Sequence, residues 1–151
     1  MINILKMSCD KLDEWLIDYR LKNEDTFIAV VRGKRMKNKE RLLDEFASAF
    51  QFPDYFGENW DALDDCITDF SWLKEKKYVL VIADLNLVLS EIPNKYEIRK
   101  IFIDLLKTAK EYWNNPAQLD QWFGHIYVDF DIYIQVDGDL DTDFREILSI
   151  N

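Results

Sequence analysis

Six carboxylates fall between Asp54 and Asp69, with no lysine or arginine among them. They are Asp54, Glu58, Asp61, Asp64, Asp65 and Asp69, set in the run from Phe52 to Phe70, FPDYFGENWDALDDCITDF. Paired carboxylates can serve as acid and base in glycosyl transfer, but that chemistry needs a cleft between them. Carboxylates on one exposed surface do something else. They accept charge-assisted hydrogen bonds from arginine and lysine, and so meet a positive partner.

The spacing favours the second use. Asn59 suits a helix N-cap, because its side-chain oxygen can accept an unpaired N–H of the first turn. At ~100° per residue, Trp60, Ala62, Leu63, Cys66, Ile67 and Phe70 share one face of a helix running to Phe70. Asp61, Asp64, Asp65, Thr68 and Asp69 share the other. Asp61 and Asp65 are four apart, as are Asp65 and Asp69, and each like-charged pair costs roughly a few tenths of a kcal/mol. Only Asp61, in the first turn, is favoured by the helix dipole. Folding alone does not ask for this arrangement. The alternative to a binding surface is a solvated acidic face.

Other constellations are weaker. Asp137, Asp139, Asp141 and Asp143 alternate as in a calcium loop, but the sixth and twelfth positions hold Thr142 and Leu148 where Gly and Glu are needed. A solvated acidic tail is the better reading. His125 is the sole histidine, so no His-rich ligand set exists. No serine sits in a nucleophile elbow. The basic run Arg32 to Lys39 has no aromatic residue for base stacking and reads as a solvated loop. These residues predict no enzyme, no cofactor and no metal.

The elements that would position the acidic helix alternate. Asn3 to Lys6 reads as a short strand. Asp10 to Leu21 reads as a helix with Leu12, Trp15, Leu16 and Tyr19 on one stripe. Phe27 to Val31 reads as a strand, and Gly33 opens the basic loop. Asn38 can cap a helix with Leu42, Leu43, Phe46, Ala47 and Phe50 on its inner face, ended by Pro53. Tyr78 to Ala83 is apolar without alternation, as in a strand covered on both faces. Asn94 can cap a long helix to Trp113, with Ile98, Ile101, Phe102, Leu105, Leu106 and Ala109 inward. Phe130 to Val136 alternates Ile132, Ile134 and Val136 against Tyr133 and Gln135, as a last strand. Leu140 to Ile150 adds a helical turn or two. Strands separated by helices predict an α/β fold with a parallel sheet.

With 151 residues, one domain is expected. Apolar residues make up 48% and aromatics 15%, which argues against disorder. No apolar run is long enough to span a bilayer, and no secretory signal is evident. The two cysteines, Cys9 and Cys66, give no disulfide framework, and Cys66 falls on the apolar face as a buried thiol. A reducing cytoplasm fits. The net charge of −10 argues against nucleic acid or an anionic membrane as partner.

The acidic segment resembles the barstar family. Tyr55-Phe56-Gly57-Glu58-Asn59-Trp60-Asp61-Ala62-Leu63-Asp64-Asp65-Cys66 is similar to the family's aromatic–aromatic-Gly-Glu-Asn-x-Asp-Ala-Leu-x-Asp-Cys signature. The similarity runs back through Phe52-Pro53 to Gly33 and Ala29-Val30-Val31. It continues more loosely through Tyr78 to Ala83 and Leu105 to Lys110. It implies a barstar-like fold with a small, mostly parallel three-stranded sheet: residues 1–26 an N-terminal extension, 27–136 the core, 137–151 the acidic tail. It implies an intracellular inhibitor of a basic ribonuclease or related nuclease toxin, in the manner of a toxin–antitoxin immunity protein. The implied partner-binding residues are Tyr55, Gly57, Asn59, Asp61, Asp64, Asp65, Thr68 and Asp69. Asp64 and Trp60 stand where the family's best-known member has Trp and Leu, and Asp69 replaces a small residue. An interaction module with the same fold and a non-nuclease partner is the alternative.

Overall fold

In a computed structural model of the chain, the described residues are 2–115 and 128–149; His125 and the Phe123-Gly124 step before it lie outside them. Four parallel strands form one sheet: β1 (Ile2–Lys6), β2 (Thr26–Arg32), β3 (Lys77–Ala83) and β4 (Asp129–Val136), in the order β1-β4-β3-β2. Helix α1 (Cys9–Lys22) joins β1 to β2. Helices α2 (Lys39–Phe50) and α3 (Trp60–Ile67) join β2 to β3. Helix α4 (Lys95–Trp113) lies between β3 and β4, and α5 (Thr142–Ile147) follows β4.

The sheet has four strands where three are expected, because residues 2–6 pair in register with the last strand, Ile2 opposite Ile132 and Lys6 opposite Val136. Sequence shows the alternation in this segment but not the partner it finds. Ile2 and Ile4 pack on the larger core, and Leu5 on the opposite face. The residues before Thr26 thus supply an edge strand and the cover of one sheet face. On that face Leu12 and Leu16 of α1 bury against Val79, Val81 and Ala83. Trp15, Tyr19 and Tyr133 close it, with ring centroids 4.9–5.8 Å apart.

The other face carries α2, α4 and α5 over β2, β3 and β4, with Leu63 and Ile67 of α3 in the same core. As the uniform apolar run predicts, β3 is buried from Tyr78 to Ala83. Each fully buried aliphatic or aromatic side chain contributes about 1.5–3 kcal/mol.

Several boundaries differ from expectation for local reasons. Helix α2 stops at Phe50 rather than Pro53, because Gln51 turns left-handed (φ 56°) and the Phe52 N–H bonds the Ala47 carbonyl. Asn38 caps it as expected, accepting from the Arg41 N–H. Asn94 is itself left-handed (φ 54°), and its side chain makes no cap bond to α4. Ile101 faces solvent, 43% exposed, while Arg99 is fully buried. The Arg99 guanidinium donates to the carbonyls of Val88 (3.0 Å) and Asn86 (2.8 Å). It also reaches Asp141 (3.3 Å) and Asp143 (3.4 Å), and lies over the Phe144 ring. Phe102, Leu106 and Ala109 are buried as the periodicity predicts, and that long-range set brings Arg99 onto the same buried side. It also means the acidic C-terminal segment is not simply solvated: two of its carboxylates neutralise a buried arginine, and Phe144 and Ile147 join the core.

Candidate protein-binding site

Two partly buried aromatics fix the loop before α3. Phe52 and Phe56 touch each other (4.8 Å) and pack on the core, and the Phe56 N–H bonds the Pro53 carbonyl. The turn leaves Asp54 and Tyr55 outside, Tyr55 63% exposed. Gly57 does not have positive φ; its neighbour Glu58 does (φ 55°). A Cβ at Gly57 would meet only Ala62 Cβ at 3.4 Å and Asn59 Nδ2 at 3.6 Å, ordinary contacts. Nothing within the chain demands glycine there.

Asn59 caps α3 as its type suggests, its Oδ1 accepting from the Ala62 N–H at 2.8 Å. Leu63, Cys66 and Ile67 are buried, and Trp60 packs partly against Phe102. Two contacts hold the far end. The Trp113 indole donates to the Ile67 carbonyl (2.8 Å), and the Thr68 hydroxyl donates to the Asp64 carbonyl (2.7 Å). The helix therefore ends at Ile67, before Thr68, Asp69 and Phe70, which the periodicity had placed on it. Phe70 turns left-handed (φ 55°) and buries its ring parallel to Trp113, centroids 5.5 Å apart.

Asp61 and Asp65 lie exposed on the outer face of α3, and Asp64 is half-buried between them. Burial, then the charges of Asp65 and Asp61, push the Asp64 carboxyl above the usual aspartate range. Among the described residues, none of the six carboxylates pairs with a cation, whereas Glu14, Asp18, Glu91, Asp104, Asp131, Asp141 and Asp143 all do. Lys39 is at hand, but its ammonium sits over the Trp60 ring (5.8 Å). Asp69 is engaged differently: Oδ2 accepts from the Tyr55 hydroxyl and Oδ1 from the Ser71 N–H, each at 3.3 Å.

Seven of the eight residues singled out from sequence, from Tyr55 to Asp65 and Asp69, thus form one surface, and Thr68 closes the end of its helix. Sequence reasoning put Phe70 on the apolar side, and it is buried, but missed its left-handed turn, the hold of Trp113 on the helix end and the left-handed Glu58. Cys66 is a protonated thiol, its pKa pushed up to about 11 by burial and then by Asp69 and Asp65. The surface offers acceptors without an obvious nucleophile, and suits donors from a positive partner. A cavity of about 260 Å³ lies apart from it, lined by Cys9, Asp13, Arg32, Lys34 and Asp84 among others.

The family model described as Barstar (barnase inhibitor) matches residues 26–125, more than half of the chain. The chain belongs to the barstar family. The barstar match opens on Thr26, the first residue of β2, and contains the whole acidic surface; β1 and α1 precede it. A Bacillus subtilis (strain 168) protein described as "Putative ribonuclease inhibitor YrdF" is 44% identical over 39 residues, 26% of this chain and 43% of that protein. The alignment thus spans less than half of this relative's length. The family is described as an inhibitor of barnase. Among the described residues no helix is long and apolar enough to cross a membrane.

Proposed function

We propose that this chain binds and blocks a basic ribonuclease, or a related nuclease toxin, through α3 and the loop before it. One observation supports this above the others: among the described residues the six carboxylates from Asp54 to Asp69, contiguous on one helix and its flanks, have no ion pair, while only some acidic side chains elsewhere, such as Asp131, Asp141 and Asp143, do. Such charge is a cost in the free protein, offset when a partner supplies the cations. A ribonuclease must bind phosphates with arginine, lysine or histidine. Asp61 and Asp65 present carboxylate oxygens to those donors in place of phosphate. A guanidinium or ammonium brought up to Asp64 offsets the burial and like-charge penalty that its carboxylate carries in the free protein. Tyr55 gives apolar contact area at the rim, Gly57 leaves room for close backbone approach, and Asn59 fixes the helix start. Thr68 and Asp69 bound the far end. Barnase, the target in the family's description, is the first probe.

The test is hydrolysis of RNA by barnase and by other basic ribonucleases, with stoichiometric inhibitor. Inhibition lost with Asp65→Ala supports the reading. Inhibitor that leaves every such enzyme untouched, yet retains a different protein on α3, points to a non-nuclease partner.

A further inference from the structure

Tyr55 has an unusual mounting for the most exposed aromatic of a binding surface. The residue is 63% exposed, and its ring pairs with no other ring among the described residues. Its hydroxyl, however, donates to Asp69 Oδ2, 14 residues along the chain on the far side of α3. Asp69 is well seated to receive it. Its other oxygen accepts from the Ser71 N–H, and its own N–H bonds the Cys66 carbonyl at 3.2 Å. The next residue, Phe70, is locked in the left-handed region by its stack on Trp113 and Tyr78. A rigid core thus holds Phe70, Phe70 holds Asp69, and Asp69 holds the phenol. Both Asp69 oxygens are engaged inside the chain, unlike those of Asp61 and Asp65.

We propose that Asp69 is a positioning residue: it fixes the Tyr55 side chain in its binding orientation before a partner arrives, and acts through Tyr55 rather than as a free acidic contact. Ordering an exposed side chain on binding has an entropic cost, and a side chain ordered beforehand avoids it. The part of this that concerns partner affinity rests on the function proposed above; the part that concerns Tyr55 does not.

Two measurements separate them. The first uses the free protein. Three-bond couplings and ring contacts by NMR report the Tyr55 χ1 rotamer. The wild type should show one rotamer with contacts to residues 66–69. Asp69→Asn retains an acceptor and should keep it. Asp69→Ala and Tyr55→Phe should each average it, with backbone shifts of α3 unchanged. A Tyr55 already averaged in the wild type, or still fixed in Asp69→Ala, overturns the proposal. The second measurement uses barnase. Asp69→Ala should raise the dissociation rate about two- to tenfold, and the double variant with Tyr55→Phe should add nothing further. Asp69→Asn should leave dissociation near wild type and only slow association at low salt. Equal dissociation effects from Asn and Ala would show that charge, not orientation, is the role of Asp69. If wild-type protein fails to bind barnase, the choice of nuclease falls, and the rotamer measurement alone decides the role of Asp69.

Discussion

Asp64 and Asp65 are adjacent in sequence but meet solvent differently. Asp65 stands exposed at mid-helix with no ion pair among the described residues, so it can accept from a partner. Asp65→Ala should weaken partner binding by more than ~2 kcal/mol, the range of a hot spot. Folding should be unharmed or slightly improved, since two like-charge neighbours lose their repulsion. Asp61→Ala should cost less, at the edge of the surface. Titration calorimetry against an inhibited ribonuclease checks both. Asp64 makes a pH prediction. Its folded carboxyl is raised by burial and by Asp65 and Asp61, so the fold binds that proton more tightly than the unfolded chain does. The penalty for ionising it is absent below the ordinary aspartate range and fully present above the raised value. Asp64→Asn should therefore raise the urea midpoint at pH 7, and the gain should vanish as pH falls through that window. A gain that persists at acid pH would assign the effect to packing instead. Gly57→Ala belongs with these. Its Cβ has room inside the chain, so folding should be unchanged, and any loss of binding then measures how closely the partner approaches.

Helix α3 is short, and it owes its place to neighbours more than to itself. The Asn59 cap, the Trp113 indole and the Thr68 hydroxyl satisfy backbone groups at both ends. Helix α5 depends likewise on Arg99. Arg99→Ala should cost about 3 kcal/mol, because it strands the Val88 and Asn86 carbonyls and unpairs Asp141 and Asp143. Hydrogen exchange should show residues 142–147 opening well before the sheet. What sequence reveals here follows from the range of each interaction. Asn38 and Asn59 cap within three residues of themselves, and the stripe of α2 repeats every turn, so both are readable. The end of α3 at Ile67 is set by Trp113, and the left-handed turn at Phe70 by its stack on that same ring; both contacts close over more than 40 positions. Arg99 reads as an ordinary surface charge, since its carbonyl and carboxylate partners lie in two other segments. The acidic surface was legible because its signal is local: one cap, one motif and one face without cations. The hydrogen bond from Tyr55 to Asp69 was not, because it spans the helix.

At the scale of the molecule, the charge is −10 and is concentrated on one helix and its approach. A basic partner should be drawn in from a distance, and salt should screen that attraction over a Debye length of ~8 Å near physiological ionic strength. Association measured by stopped flow should slow markedly as salt rises, and dissociation should change much less. Neutralising Asp64 should flatten the association slope even if it touches nothing. An association rate indifferent to salt would mean that the acidic face is only solvated.

The pairing of β1 with β4 has a consequence for how the protein comes into being. Ile2 must wait for Ile132, and the edge of the sheet cannot close until β4, far along the chain, has left the ribosome. At ordinary rates of synthesis that interval is on the order of 10 s. Throughout it, Ile2, Ile4 and Leu5 have no strand to lie against, while α3 and its carboxylates are already outside. The nascent chain would thus expose its acidic segment before its sheet is complete, and the exposed early strand is where a chaperone, or another unfinished copy, would first find a hold.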